Sequence, residues 1–396
     1  MRIVINGIGV AGPALAYWLQ RSGHEVLLVE AAPQLRAGGY IIDFWGLGYE
    51  IVERMGLIGD VRALGYQVRE VRFVDRNGRK RGGFDAAVFQ RTTQGRFTSL
   101  RRSDVSATLY RACESQVETI FGDSIAALGA DGDRVRVVFE HAPEREADLV
   151  VGADGLHSRV RDLAFGPASE FEVPLGYHIA AFEAAGYRPR EELVYVSHDL
   201  PGRQISRFSL REDKTMFLFV FRDEYLSDDA DPKALLRRVY ADAGWEWPEI
   251  EAALEQADDL YFDTVSQIRM THWTRGRVAL VGDAAACASL MAGEGTGLAI
   301  LESYVLAGEL HDAGSDVAPA FARYEERLMP VLRAKQRFAS KFAASFAPRT
   351  RAGIMVRDLT TQLLRIPLLA DWAIGRSFRD ALVLPQYDFG RRSPPD

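Results

Sequence analysis

An α/β fold with an antiparallel sheet inserted into it, closed by a helical C-terminal segment, is predicted by three observations. The chain opens on a short apolar run, a glycine-rich turn and a helical pattern. Its middle section changes to period-two alternation. Beyond about residue 318 the pattern turns helical almost throughout.

Ile3-Val4-Ile5 suits a short buried strand, and Gly7 to Gly12 forms the turn after it. Pro13 to Ser22 reads as a helix stopped by Gly23, and Glu25 to Glu30 as a second strand. A helical period that gives way to a strand run at a glycine stop is a βαβ opening. Residues about 50–58 and 103–118 read as helices. Val68 to Val74 alternates, and Asn77-Gly78 marks a hairpin turn after it. Val135 to Glu140 and Leu149 to Gly152 follow as strands.

From about 170 to 265 the strands alternate, notably Gln204 to Leu210 and Thr215 to Phe221, with one helix near 232–243. Val278 to Asp283 is another buried strand ending in a polar turn, followed by a long helix over about 294–311. The tail ends at Pro385 and Pro394-Pro395, and its apolar stretch Ile366 to Ile374 is expected to pack onto the body rather than a membrane. The expected division is 1–65, 97–168 and 266–317 for the nucleotide-binding domain, 66–96 and 169–265 for the sheet domain, and 318–396 for the C-terminal helices.

Composition narrows the function. The chain has 396 residues, is 47% hydrophobic and carries a net charge of −7. An acidic balance argues against a nucleic-acid partner, which needs a concentrated basic field. Cys113 and Cys287 make neither a disulfide framework nor a metal-ligand spacing, and are expected to be buried. No run approaches the roughly 20 apolar residues that span a bilayer, and no export signal precedes the first strand. The cytoplasm is the expected compartment.

Three motifs carry the chemistry. Gly7-x-Gly9-x-x-Gly12 joins the first strand to the first helix, and Glu30 closes the second strand. Gly7 permits the tight turn, Gly9 admits a pyrophosphate to the backbone, and Gly12 lets helix and strand pack closely. The helix N-terminus offers N–H groups to phosphate, and an acid at Glu30 suits an adenosine ribose. The second motif is Gly152-Ala153-Asp154-Gly155, with Ser158 and Arg161 following. The third is Gly282-Asp283, followed by Gly293-Glu294-Gly295-Thr296-Gly297 at the head of a helix. A carboxylate at a strand end suits a polyol, and the second glycine turn can stabilise negative charge. Any one of these is explained as a capped turn; three in this order are not.

Together they resemble the single-component, class A flavoprotein monooxygenases, the para-hydroxybenzoate hydroxylase-like family that includes the tetracycline-inactivating enzymes. The resemblance covers nearly the whole chain. It implies a Rossmann-type (GR2-like) domain that binds FAD, with Gly7, Gly9 and Gly12 at the pyrophosphate and Glu30 at the ribose. It puts Asp283 on the ribityl chain and Gly295-Thr296 beside the pyrimidine edge. Arg102 resembles the family's helix-opening arginine at the cofactor, and Asp43, after Gly38-Gly39, an aspartate near FAD. Asp154 is expected to serve both FAD and NADPH, Arg161 to support that turn, and Arg36 to help receive the nicotinamide cofactor. The family usually has His, Pro and Asn where this chain has Ala286, Leu290 and Gly297. Leu290 alters the apolar wall and removes no acid or base.

The implied reaction takes NADPH (or NADH) and O2 and adds oxygen to an aromatic or polycyclic substrate through a flavin C4a-hydroperoxide. The cofactor carries that chemistry, so no catalytic side chain is assigned. Phe208, Phe217, Phe219 and Leu290 are the expected substrate contacts, with Phe221, Arg203 and Arg207 nearby. A sheet core face is the simpler explanation of the phenylalanines and is preferred to a substrate wall. His178, His198 and His272 are bases by residue type only. A flavin-dependent halogenase is the first rival, but Trp245-x-Trp247 matches that signature poorly and Lys80 sits in the hairpin tip. An FAD reductase of a prenyl chain and a non-catalytic flavin binder are the others.

Overall fold

The computed structural model describes residues 1–36, 40–226, 231–289, 293–363 and 382–389. Arg2–Asn6 lies in the middle of a six-stranded sheet, between Glu25–Glu30 on one side and Leu149–Gly152 on the other, all parallel. Val278–Leu280 continues it beyond Leu149–Gly152, with Gly152 in register with Leu280. The interiors of these strands are apolar because both faces are covered, by helices such as Ala11–Arg21 and by a three-stranded sheet of Ile125–Asp131, Arg134–Phe139 and Arg145–Ala147. The chain leaves the sheet in opposite directions from its central strand, so the carboxyl ends open into a crevice. All three motif turns emerge there: Gly7 follows Asn6, Asp154 follows Gly152, and Asp283 follows Leu280.

The inserted sheet has seven strands and takes in both 70–85 and 172–268. It is antiparallel except where Val194–Leu200 runs parallel to Glu70–Val74, which joins the hairpin to the later strands. The hairpin turn forms as the Asn77-Gly78 pattern predicts, with Asp75 Oδ1 accepting from Asn77 and Arg79 N–H groups. Two helices cover the outer face, not one: Pro232–Tyr240 and Trp247–Gln256. The second is short and opens on Trp247-Pro248, and proline suits the first turn of a helix.

A ribbon of Ile41–Phe44 and Thr98–Arg101 lies between the two large sheets. The long helix Gly295–Ala313 is buried on nearly every side, and Val317–Phe346 packs along it. The helix Arg351–Leu363 lies over Lys80–Asp85, tied by Arg357 to the buried Asp199 at 2.6 and 2.9 Å. The stretch 366–374 falls outside the described residues. No helix among the described residues is long and apolar enough to cross a membrane.

Candidate functional site: a dinucleotide crevice and an aromatic cleft

The glycines of the first motif divide by what surrounds them. Gly7 has φ +110°, and a β-carbon there would fall 2.5 Å from Ala153 O. One on Gly12 would fall 2.0 Å from Gly7 O. Gly9 differs: a β-carbon would meet only Arg102 Nη2, at 3.9 Å. Gly7 and Gly12 therefore serve the packing of the protein itself, and Gly9 leaves room for something else. The first helix has no acidic residue in its first turn and no side-chain cap from Val10, so its positive end faces that room.

Glu30 accepts from Ile8 N–H at 2.8 Å and Ala32 N–H at 3.0 Å, which places its carboxylate beside the turn. Arg36, largely exposed, stands 3.8 Å from it. Arg36 therefore lies at the Glu30 end of the crevice. Ser106 was not singled out from the sequence, yet its hydroxyl donates to Gly9 O at 2.7 Å and Ile8 O at 3.1 Å. It lies one helical turn after Arg102, on the same face.

Asp154 turns inward. Its carboxylate accepts from Asn6 Nδ2 at 2.9 Å, from Val160 N–H at 3.1 Å and from the Ser158 hydroxyl. Arg161, fully buried, donates to Leu156 O at 2.7 Å and Ala284 O at 3.2 Å, linking the second turn to the third. In the third, Gly282 adopts φ +65° and Asp283 opens a short helix. Asp283 Oδ1 lies 3.8 Å from the position of a β-carbon on Gly295, and Thr296 is buried in the same helical turn.

Beyond this crevice Tyr40, Arg102, Tyr261 and Cys287 gather around Asp283. Burial pushes the Tyr40 hydroxyl up to about 12, against the pull of Arg102. The nearby Tyr40 in turn raises the Arg102 guanidinium, with Asp283 and Tyr261 adding to it and burial opposing. The Tyr40 and Tyr261 rings lie 5.8 Å apart, and Tyr261 donates to Asp263 at 3.2 Å. Asp43 is open to the cleft; desolvation by its surroundings raises its carboxyl, and a hydrogen bond from Ser99 opposes the rise. Tyr195 is half-buried, and burial raises its hydroxyl.

The phenylalanines need correction as substrate contacts. Phe217 and Phe219 have no exposed surface and pack with Leu236, Tyr240 and Trp247 on the outer, helix-covered face. Phe208 faces the other way but is equally buried, edge-on to Tyr66 at 5.4 Å. Alternation placed each on its face correctly and could not say which face opens on the cleft. Phe221, Arg203 and Arg207 belong to the helix side too: Arg203 pairs with Asp242 and Arg207 with Glu246. Leu290, Gly38 and Gly39 lie outside the described residues.

The three histidines are held by structural partners. His178 sits 2.9 Å from Asp223, His198 within 3.1 Å of the Val74 and Ala243 carbonyls, and His272 3.0 Å from Glu325. Both cysteines are buried, and desolvation pushes the Cys113 thiol up to about 12. Lys80 pairs with Glu70 on the hairpin, away from the crevice.

An open face at Gly9 under an arginine, beside an acid-closed strand and a second Asp-headed turn, fits a flavin dinucleotide. The family model of the FAD binding domain matches residues 1–338. A flavin-dependent monooxygenase from an unknown prokaryotic organism is 30% identical over 98% of this chain and 99% of its own. This chain belongs to the FAD-dependent class A monooxygenases.

Two further likenesses agree. An uncharacterized protein of Mycobacterium tuberculosis is 42% identical over 81% of this chain and 88% of its own. The crystal structure of tetracycline destructase Tet(51) superposes with a TM-score of 0.82 at 30% identity, covering 98% of this chain and 99% of that one. As an FAD-dependent monooxygenase, the protein takes O2 and a small molecule as substrates. The Gly7–Gly12 turn, Glu30, Arg102, Asp283 and the turn at Gly295-Thr296 lie together along the crevice.

Proposed function

We propose that this monooxygenase oxidises a planar aromatic or polycyclic molecule bearing an acidic hydroxyl, with NADPH or NADH as electron donor, in the cytoplasm. The observation that carries this reading is the cluster of Tyr40, Tyr261 and Arg102 beside Asp283. Two aromatic side chains suit a flat ring, and a guanidinium beside them favours the ionised form of a phenol or enol. Electron-rich carbon is the target such chemistry requires, and ionising the hydroxyl enriches it.

When bound, FAD supplies electron transfer and oxygen activation. The chain's own groups bind and exclude. Gly9 and the first helix receive the pyrophosphate, Glu30 the ribose and Asp283 the ribityl chain. Asp154 acts from behind by fixing the second turn through Asn6 and Ser158. The ribbon at Asp43 and the sheet face at Tyr195 and Met216 close the cleft against water, which strengthens every charge inside it. In this scheme 1–65, 97–168 and 266–317 form the cofactor domain, 66–96 and 169–265 roof it, and 318–396 close the side.

Anaerobic visible spectra test the reading, with NADPH or NADH added in the presence of phenols, enols and tetracycline. The expected result is flavin bleaching that one hydroxylated ligand accelerates, followed on aeration by oxygenated product. Bleaching that no such ligand accelerates, or turnover without O2, overturns it.

A further inference from the structure

Glu302 lies two turns into the long helix, with 1% of its surface exposed, in a position where an apolar side chain would serve packing better. Its Oε2 accepts from Gly282 N–H at 2.7 Å. Tyr324 Oη stands 3.4 Å from the same oxygen and donates to Leu280 O at 3.0 Å. The carboxyl group is thus built into the end of the strand that delivers Asp283.

Gly282 has little other freedom. A β-carbon there would lie 3.2 Å from Ala11 Cβ and 3.3 Å from Ala299 Cβ, so the turn is wedged between the first helix and the long one. The next residue along, Ser303, donates to Ala11 O at 2.9 Å. Two consecutive side chains of one helix therefore reach two turns: Glu302 the Asp283 turn, Ser303 the head of the first helix.

We propose that Glu302 is a positioning residue for FAD, fixing the Gly282–Asp283 turn through the Gly282 N–H so that Asp283 meets the cofactor at a set distance from the phosphate-binding helix. The inference rests on the cofactor site described above. Burial pushes the Glu302 carboxyl well above its usual range, against the Gly282 hydrogen bond, and the Asp283 charge acts in the same direction as burial. The role argued for Glu302 is geometric: an acceptor held at a fixed reach from the Gly282 N–H.

The test is FAD titration of flavin-stripped protein, followed by flavin fluorescence, with the midpoint potential of the bound flavin and the thermal midpoint of the stripped protein measured alongside. Glu302→Gln keeps reach and an acceptor; its affinity stays within about twofold of wild type and its potential is unchanged. Glu302→Asp falls a methylene short, and Glu302→Leu offers no acceptor. Each weakens FAD by about tenfold or more, the scale of one lost hydrogen bond, and shifts the potential. If one of these two fails to fold, the other decides.

Wild-type affinity and potential in whichever of them folds overturn the proposal, as does a Glu302→Gln variant weakened as much as Glu302→Asp. Loss of thermal stability with FAD affinity intact also overturns it, since that marks a purely structural group. Failure of the wild-type protein itself to bind FAD is a separate result, against the cofactor site rather than Glu302.

Discussion

Gly48 and Gly297 meet backbone to backbone: a β-carbon on Gly48 would fall 2.4 Å from Gly297 Cα and 2.9 Å from its carbonyl oxygen. The contact brings the helix Gly46–Arg54 onto the head of the long helix, beside the Gly295-Thr296 turn. It gives a physical reason for glycine at 48, and none for glycine at 297, where the family usually has asparagine. The two positions are not equivalent, because a β-carbon on Gly297 would find ordinary contacts at 3.6 Å and beyond.

Gly48→Ala is therefore expected to force the helices apart and cost about 1–3 kcal/mol, lowering the apparent thermal midpoint, whereas Gly297→Ala changes it little. Differential scanning of the two variants checks this. Equal effects would mean the close approach is not what glycine serves here.

One buried acid helps to dock the C-terminal residues 382–389, beside the Tyr304 hydroxyl on Pro385 O at 2.9 Å and the Trp18 ring against Phe389. Glu309, at 1% exposure, accepts from Arg323, from Arg327 at 2.6 Å and from Tyr387 at 2.7 Å. Burial alone would raise its carboxyl, but these hydrogen bonds outweigh burial and hold it below the ordinary range. A depressed carboxyl contributes stability that is complete above the ordinary glutamate value and lost as pH falls through the folded-state value. Hydrogen exchange in 382–389, taken relative to the intrinsic amide rate at each pH, should therefore be slow at neutral pH and rise below about pH 4. Tyr387→Phe should raise it at neutral pH too, by the equivalent of about 1 kcal/mol. Exchange that ignores both pH and the tyrosine would show that Glu309 does not hold the tail.

What the sequence disclosed follows the range of each interaction. The βαβ opening, the hairpin at Asn77-Gly78 and the three motif turns are local, written in glycines and in periods of two and 3.6. They carry the fold and lead to Glu30 and Asp283 on one crevice; Arg102 is reached only through the family resemblance. Which face of the inserted sheet opens on the cleft was not legible, because Phe208 and Phe217 alternate identically whether helices or a cofactor domain lie above them. Glu302 and Ser106 were illegible for another reason. Their partners are backbone atoms of turns 20 and about 97 residues away, and a lone acid or serine in a helix carries no sign of that.

Those two sheet faces make opposite predictions. Phe219→Leu should destabilise the protein by about 1–3 kcal/mol, through the aromatic cluster with Tyr240 and Trp247, and leave ligand-stimulated flavin reduction unchanged. Tyr261→Phe removes a hydroxyl bonded to Asp263 in the cleft. It should leave the thermal midpoint nearly unchanged and alter which ligands speed reduction. Thermal scans and stopped-flow reduction on both variants test the pair; altered ligand preference in Phe219→Leu would restore that face as a substrate wall.

The first glycine motif offers the sharpest separation of packing from binding. Gly12→Ala drives a methyl into Gly7 O and should destabilise the protein with or without cofactor. Gly9→Ala points its methyl into open space, with only Arg102 Nη2 at 3.9 Å, so the flavin-stripped protein should melt within about a degree of wild type, surface-like substitutions costing under about 0.5 kcal/mol. The same methyl stands where the pyrophosphate must approach the backbone, and FAD affinity should fall about tenfold or more, some 1.4 kcal/mol. Titration of the stripped variant with FAD, set beside its melting curve, measures both. A Gly9→Ala protein that melts early without flavin would place this glycine with Gly7 and Gly12, in the packing of the turn. One that melts normally and still binds FAD as tightly as wild type would move the pyrophosphate away from Gly9 and from the arginine above it.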